Sequence, residues 1–115
     1  MNDQTIEQEI QAKGLTAPRV TPADIEENIV GEYFFTADQA TKDCPQFEQL
    51  HLLTFCVLVL ANGFTVTGES ACASPENFNA EIVRKIARQN AVAKIWPLMG
   101  YELRSRISSG VVSQG

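Results

Sequence analysis

The sequence is poor in the residues that build metal and redox sites. It contains one histidine, His51, and three cysteines, Cys44, Cys56 and Cys72, with no Cys-x-x-Cys pair among them. The spacing of His51, Cys44 and Cys56 matches no standard zinc pattern, and three cysteines cannot all pair within one chain. We therefore predict reduced thiols and no metal site.

Long apolar runs are also missing. The longest, residues 52–61, is far shorter than the roughly 20 residues that a membrane-spanning helix needs. The N-terminus has no basic segment followed by an apolar stretch, which a secretory signal requires. These absences predict a cytoplasmic protein that does not contact a membrane.

Signatures of catalysis and of cofactor binding are absent as well. The sequence has no Walker loop, no dinucleotide fingerprint and no paired carboxylates. Residues 68–72 approach the turn of a serine hydrolase, but Cys72 stands where that turn needs its second glycine. On a strand, Cys56 and His51 would point to opposite faces and could not act together. We predict a protein that is not an enzyme, with no catalytic residues and no cofactor.

Positive charge is scarce and unevenly distributed. The net charge of −5 disfavours general DNA binding, because the phosphate backbone requires a basic surface. Residues 1–48 carry ten acidic side chains against three basic ones, whereas residues 84–115 carry six basic side chains against Glu102 alone. Three interpretations of this asymmetry stay open: pairing between subunits of a homo-oligomer, an anionic ligand, or a solvated helix face.

What the sequence does contain is the apolar content of one small globular domain. Its 115 residues, 44% hydrophobic and 20% charged, predict a single α+β domain over 1–115. The clearest local pattern is an apolar, β-rich run at about 52–60, then Asn62-Gly63, then an alternating run over about 63–69. Asn-Gly favours a type I′ turn, so we predict an antiparallel β-hairpin.

Helical patterns lie on both sides of the hairpin. Ile6 and Ile10 predict a helix over about 3–12, and we interpret residues 1–20, which contain it, as a docking arm. Thr21-Pro22 begins a second helix over about 22–35, with Ile25, Ile29 and Tyr33 on its buried face. Residues 36–49 show no periodicity and are interpreted as an exposed loop, whose role the sequence leaves open.

A long helix over 75–96 is predicted to pack on the hairpin. Ser74-Pro75 is typical of a helix start, and Pro97 is interpreted as its end. We expect the side with Ile82 and Ile86 to face the hairpin. The side rich in alanine is then available to another helix, such as one from a second subunit. Residues 108–115 are predicted to form a frayed tail.

The start of the long helix is the candidate ligand site. A helix N-terminus offers free N–H groups and the positive end of the dipole, which attract phosphate or carboxylate. We interpret the nearby hydroxyls and amide, two arginines and two aromatic side chains as candidate ligand contacts: Thr65, Thr67, Ser70, Ser74, Asn77, Arg84, Arg88, Trp96 and Tyr101. In the competing interpretation Ser74 only caps its helix and the aromatic residues belong to the core.

Several long segments carry a resemblance to a known family. They are the block from Leu53 to Leu60, the block from Asn62 to Phe78, the segments 84–91 and 94–98, and Gly100-Tyr101. Together with the helix after Thr21-Pro22 they resemble the phage gene 49 / gene 66 family of small tailed-bacteriophage and prophage proteins, over about residues 20–107. The resemblance implies an accessory protein in the cytoplasm of an infected bacterium, and it brings no established activity or catalytic residue.

Two functions are consistent with these observations. The first is a non-catalytic, oligomeric binding protein that holds a small anionic ligand; because small phage accessory proteins often act against host defence, that ligand could be a nucleotide immune signal sequestered in an anti-defence role. The alternative is a protein-interaction module that binds a host or phage protein through the acidic N-terminal helices.

Overall fold

The computed structural model describes residues 2–15 and 17–111. Among them the elements are, in chain order, α1 (Asp3–Ala12), α2 (Pro22–Asn28), β1 (Ile29–Thr36), α3 (Ala37–Ala40), β2 (Leu53–Leu60), β3 (Thr65–Ala71) and α4 (Ala80–Ser108), with 3-10 turns at Glu48–Leu52 and Pro75–Asn77. The residues group into two compact units. One consists of the chain up to Asn28 together with the chain from Ile95 onward, and the other is Ile29–Lys94.

The predicted α+β class is confirmed by a three-stranded antiparallel sheet with the strand order β1-β2-β3. The hairpin of β2 and β3 lies where the sequence placed it, but its turn differs. A type I′ turn needs positive φ at both central residues, whereas only Gly63 has one, at 90°. Gly63 N donates to Leu60 O and Leu60 N to Phe64 O, which makes residues 61–63 a three-residue loop with a glycine bulge.

The second helix is shorter than predicted, because residues 29–36 form strand β1. This segment is Ile-Val-Gly-Glu-Tyr-Phe-Phe-Thr, and β-branched and aromatic residues favour a strand once a partner strand is available. The spacing of Ile25, Ile29 and Tyr33 suggested a helical face, but only Ile25 is buried. Gly31 lets β1 approach β2, since a Cβ there would lie 3.2 Å from the Val59 Cβ.

The predicted loop at 36–49 contains a helical turn. Residues 37–40 form α3, and the Thr36 backbone N–H donates to Gln39 Oε1 at 2.9 Å, which closes the first turn. This bond follows the Thr-x-x-Gln pattern typical of a helix start. The segment thereby fixes the positions of Thr36 and Gln39.

The long helix begins later and ends later than predicted. Residues 75–77 form only a 3-10 turn, and Phe78 is extended, so that α4 starts after Asn79, whose Oδ1 accepts from Ile82 N at 3.1 Å. Pro97 lies inside α4. A proline there removes the hydrogen bond to the carbonyl of Ala93, but Ala93 is exposed, and water can satisfy that carbonyl.

The side of α4 that was predicted to be buried is exposed, and the side that was predicted to be free is buried. Val83, Ala87 and Ala91 are buried, whereas Ile82 and Ile86 are 55% and 41% exposed. The alanines are needed because α4 lies directly over Gly68 of β3. A Cβ at Gly68 would lie 2.2 Å from both Ala87 O and Ala91 N. Small residues on both elements therefore permit the close approach, and the alanine side is not available to another helix.

The buried residues of the unit Ile29–Lys94 lie on one face of the sheet. Side chains alternate along β2, and Cys56 and Leu58 are completely buried. On the opposite face the rings of Phe35 and Phe55 stack with their centroids 5.3 Å apart. The mixed burial agrees with the apolar character of β2 on both faces.

In the other unit, α1 spans the predicted residues and contains no buried side chain. It is held by polar contacts. Arg19 donates to both carboxylate oxygens of Glu7 at 2.6 and 2.7 Å, and Trp96 Nε1 donates to Asp3 Oδ2 at 3.1 Å. These residues include part of the predicted docking arm at 1–20. Of the predicted tail at 108–115, Ser108 still belongs to α4, and residues 112–115 lie outside the described residues.

Candidate functional site

The ligand site predicted at Ser74 lacks the helix on which the prediction depended. Ser74 precedes a three-residue 3-10 turn, and its Oγ donates to Glu76 Oε2 at 2.5 Å. This hydrogen bond lowers the pKa of the Glu76 carboxyl, which favours its negative form. Ser74 and the neighbouring Asn77 therefore lie beside a carboxylate, which repels an anion.

The predicted hydroxyl groups of β3 do not point in one direction. Thr65 and Thr67 lie on the exposed face of the strand, whereas Ser70 is buried on the opposite face. Because side chains alternate along a strand, the three hydroxyls cannot contact one small ligand together.

The remaining predicted residues are divided between the two units. Arg88 Nε donates to Glu32 Oε1 at 2.5 Å, so this arginine already has a carboxylate partner. Trp96 bonds to Asp3, and Tyr101 is 78% exposed. Arg84, by contrast, lines a cavity within the described residues.

That cavity lies at the start of α4, beside the end of β1 and the beginning of β2. It holds about 40 Å³ and is lined by Phe35, Thr36, Gln39, Thr54, Phe78, Ala80, Val83 and Arg84. All of these residues belong to the unit Ile29–Lys94. We call it the α4 cavity.

Thr54 is the unusual residue of the α4 cavity. Its side chain is 2% exposed, and its Oγ1 has no hydrogen-bond partner among the described residues. Leaving a buried hydroxyl without a partner costs about 1–3 kcal/mol. Nearby, Thr36 Oγ1 donates to Asp38 Oδ1 at 2.5 Å and is already satisfied. Of the two lining hydroxyls, that of Thr54 is therefore the one without a partner among the described residues.

Arg84 is the one charged side chain among the residues that line the α4 cavity. No carboxylate is among its lining residues, and Arg84 has no ion pair or hydrogen bond to any described residue. Ala80 is the first residue of α4, so the positive end of a 29-residue helix adds to the charge of Arg84. The adjacent cation Lys85 is instead paired with Glu81 at 3.3 Å. The cavity thus combines one free cation, one unpaired hydroxyl and a helix N-terminus.

Sequence reasoning missed most of this site. The sequence predicts an apolar strand around Thr54, and a polar residue in a strand that is apolar on both faces is the signal that points to this site. It predicts a helix at Phe35 and an exposed loop at Gln39. The cavity exists only because β1, α3 and α4 meet there.

The described residues contain no candidate metal site, no reactive buried thiol and no membrane-spanning helix. Within residues 2–15 and 17–111, no group of three or more His, Cys, Asp or Glu side chains could hold a metal ion. Burial raises the pKa of the Cys56 thiol, with a further contribution from Glu32, so this buried sulfur stays protonated. Over the same described residues, no helix has the length and apolar character to cross a membrane.

Comparison with known proteins gives one result. A family model described as the phage protein (N4 Gp49/phage Sf6 gene 66) family matches residues 20–107. No curated protein and no solved structure matches the chain. The match covers β1 to β3 and the α4 cavity in full.

Proposed function

The chain belongs to the phage protein (N4 Gp49/phage Sf6 gene 66) family, and we propose that it is a non-catalytic binding protein for a small anionic ligand. In this proposal the anionic group of the ligand enters the α4 cavity. The observation that carries the proposal is the buried Thr54 hydroxyl, which has no partner among the described residues. A bound anion accepts from that hydroxyl and from Arg84.

The chemistry of the cavity supports binding without turnover. Its lining residues include an arginine, two threonines and a glutamine, but no histidine, cysteine or carboxylate. A hydroxyl becomes a nucleophile only with a base beside it. The Thr54 hydroxyl, which is the donor to the anion in this proposal, has no such base among the described residues. A ligand held there is expected to be released unchanged.

This proposal moves the ligand site from Ser74 to the α4 cavity but keeps the class of ligand and the role of Arg84. Sequestration of a nucleotide immune signal by an oligomer belongs to the same class. It requires a phosphate group of the nucleotide to enter the α4 cavity. Titration with inorganic phosphate tests that requirement directly.

The test is a nuclear magnetic resonance titration of the full chain with sodium phosphate and, separately, sodium acetate, against sodium chloride at equal ionic strength. Saturable shifts at the amides around Thr54 and Arg84 with either anion support the proposal. Arg84→Gln should abolish them. Lys85→Gln removes a cation one residue away that does not line the cavity, and it should leave them intact. Shifts that match those in chloride for both anions would refute the proposal.

A second candidate function, a protein-interaction module, is favoured by α1. This acidic helix has no buried residue, and Ile6 is 43% exposed. The helix is held by hydrogen bonds from Arg19 to Glu7 and from Trp96 to Asp3. An exposed apolar residue on a helix fixed in this way suits a protein partner. The test is affinity capture from infected cells with the wild type, Ile6→Asn and the control Gln8→Ala. A partner that the control keeps and Ile6→Asn loses supports this function, and equal capture by all three contradicts it.

A further inference from the structure

We infer that the anionic group held in the α4 cavity is a carboxylate on a small apolar body, such as a short organic acid, and not a phosphate. This inference rests on the proposed function. It follows from the size of the cavity, the number of its donors and the character of its walls.

Size is the first argument. A cavity needs at least about 10–15 Å³ of such volume to hold one water molecule. The α4 cavity, with about 40 Å³, is therefore a small site that suits a small polar group. A carboxylate has two oxygens on one carbon. A phosphate group is bulkier, a tetrahedron with four oxygens around phosphorus, and it fits so small a cavity less well.

The charge of the cavity also suits a carboxylate. Arg84 is the one cation in the lining, and its planar guanidinium matches the two oxygens of a carboxylate. The Thr54 hydroxyl supplies one further donor from the buried side. A phosphate monoester carries a charge of about −1.5 to −2 at neutral pH with three acceptor oxygens, and one cation does not neutralise it.

The rest of the ligand would meet mostly apolar walls. Three of the lining residues on the α4 side are apolar: Phe78, Ala80 and Val83. Gln39 Oε1 accepts from the Thr36 backbone, and the Gln39 amide N–H groups add neutral donors but no charge. The walls next to the anion therefore suit carbon and hydrogen, which describes a short aliphatic or aromatic acid.

The experiment compares acetate, propionate and inorganic phosphate as probes of the full chain, by the same titration at neutral pH and constant ionic strength. We expect saturable binding of acetate and propionate, with propionate the tighter because its methylene group contacts the apolar walls. Phosphate should bind at least about tenfold more weakly. Thr54→Val should weaken acetate binding about tenfold, the usual effect of losing one hydrogen bond to a charged group.

Thr54→Ser is the matched control, because it keeps the hydroxyl and should retain acetate binding. It also separates loss of the donor from damage to the core. If phosphate binds as tightly as acetate or more tightly, the carboxylate inference is wrong while the anion-binding function stands. If neither anion causes saturable shifts, both are wrong. Equal acetate affinity in the wild type and Thr54→Val also overturns the inference.

Discussion

At the scale of single residues, the Glu7–Arg19 pair controls the response of α1 to acid. The hydrogen bonds from Arg19, and then from Gln11, lower the pKa of Glu7 from its usual 4.5 to about 2. A carboxylate whose pKa is lower in the folded state contributes stability above its unfolded pKa and loses it as the pH falls through the folded one. The contribution of this pair is therefore complete at neutral pH and disappears between about pH 4.5 and 2.

We predict that Glu7→Gln destabilises the protein at pH 7 but has little effect at pH 2. The measurement is the free energy of unfolding in urea, for the wild type and the variant, at several pH values. Glu9→Gln is the control, because the Glu9–Lys13 pair is more than half exposed on both sides and should contribute little. A pH-independent difference between the wild type and Glu7→Gln would contradict the assignment.

The three thiols should differ in reactivity. Cys56 is completely buried, and burial raises its pKa, whereas Cys44 is exposed. Because the thiolate is the reactive form, iodoacetamide should label Cys44 and leave Cys56 unmodified until denaturant is added. Peptide mass spectrometry of the labelled protein measures this. Native labelling of Cys56 at the rate of Cys44 would show that β2 opens readily.

At the scale of elements, the contact between β3 and α4 depends on Gly68. We predict that Gly68→Ala destabilises the protein by about 1–3 kcal/mol or more, as overpacked cores usually do, because its Cβ meets helix backbone that cannot turn away. Gly100→Ala is the control. It has nothing within 4 Å of its Cβ, lies within α4, and should stabilise by about 0.5–1 kcal/mol. Denaturant unfolding of both variants measures their free energies of unfolding. If Gly68→Ala leaves that free energy unchanged, the close packing of β3 against α4 is contradicted.

The edge of the sheet shows how one side chain protects an element. Strand β3 is an edge strand, and its outward backbone groups could pair with another chain. Asn90 Nδ2 donates to Glu69 O at 2.8 Å, which occupies one of these groups. The amide that protects β3 thus comes from the same side of α4 as the exposed Ile82 and Ile86, four and eight residues earlier.

At the scale of the whole molecule, the two compact units differ in how they are stabilised. Helix α1 has no buried side chain, while every second residue of β2 is buried. Local opening is easiest where few apolar contacts are made, so we predict that amide hydrogens of α1 exchange much faster than those of β2. Hydrogen exchange with peptide-level mass spectrometry measures both in one experiment. Equal protection would show that α1 is stabilised by more than its polar bonds.

Sequence reasoning succeeded where a signal is local. The limits of α1, the β2-β3 hairpin and the family were all predicted, and the matched residues 20–107 confirm the family. It failed at residues 29–36, because a spacing of four between apolar residues fits a helix, while the decisive fact is pairing with β2. The helix start predicted at Ser74 is also wrong, because residues 75–77 form only a 3-10 turn.

By itself the sequence determined the class of the fold, the hairpin, the helix start at Thr21 and the charge asymmetry. The hairpin and the helix start depend on neighbours a few residues apart, whose backbone preferences are fixed by chemistry. Only the tertiary structure decided which side of α4 is buried and where an anion can bind. Both depend on residues distant in the chain. Thr54 loses its water when β1, α3 and α4 close over it, and Arg84 reaches the same cavity from the first turns of α4.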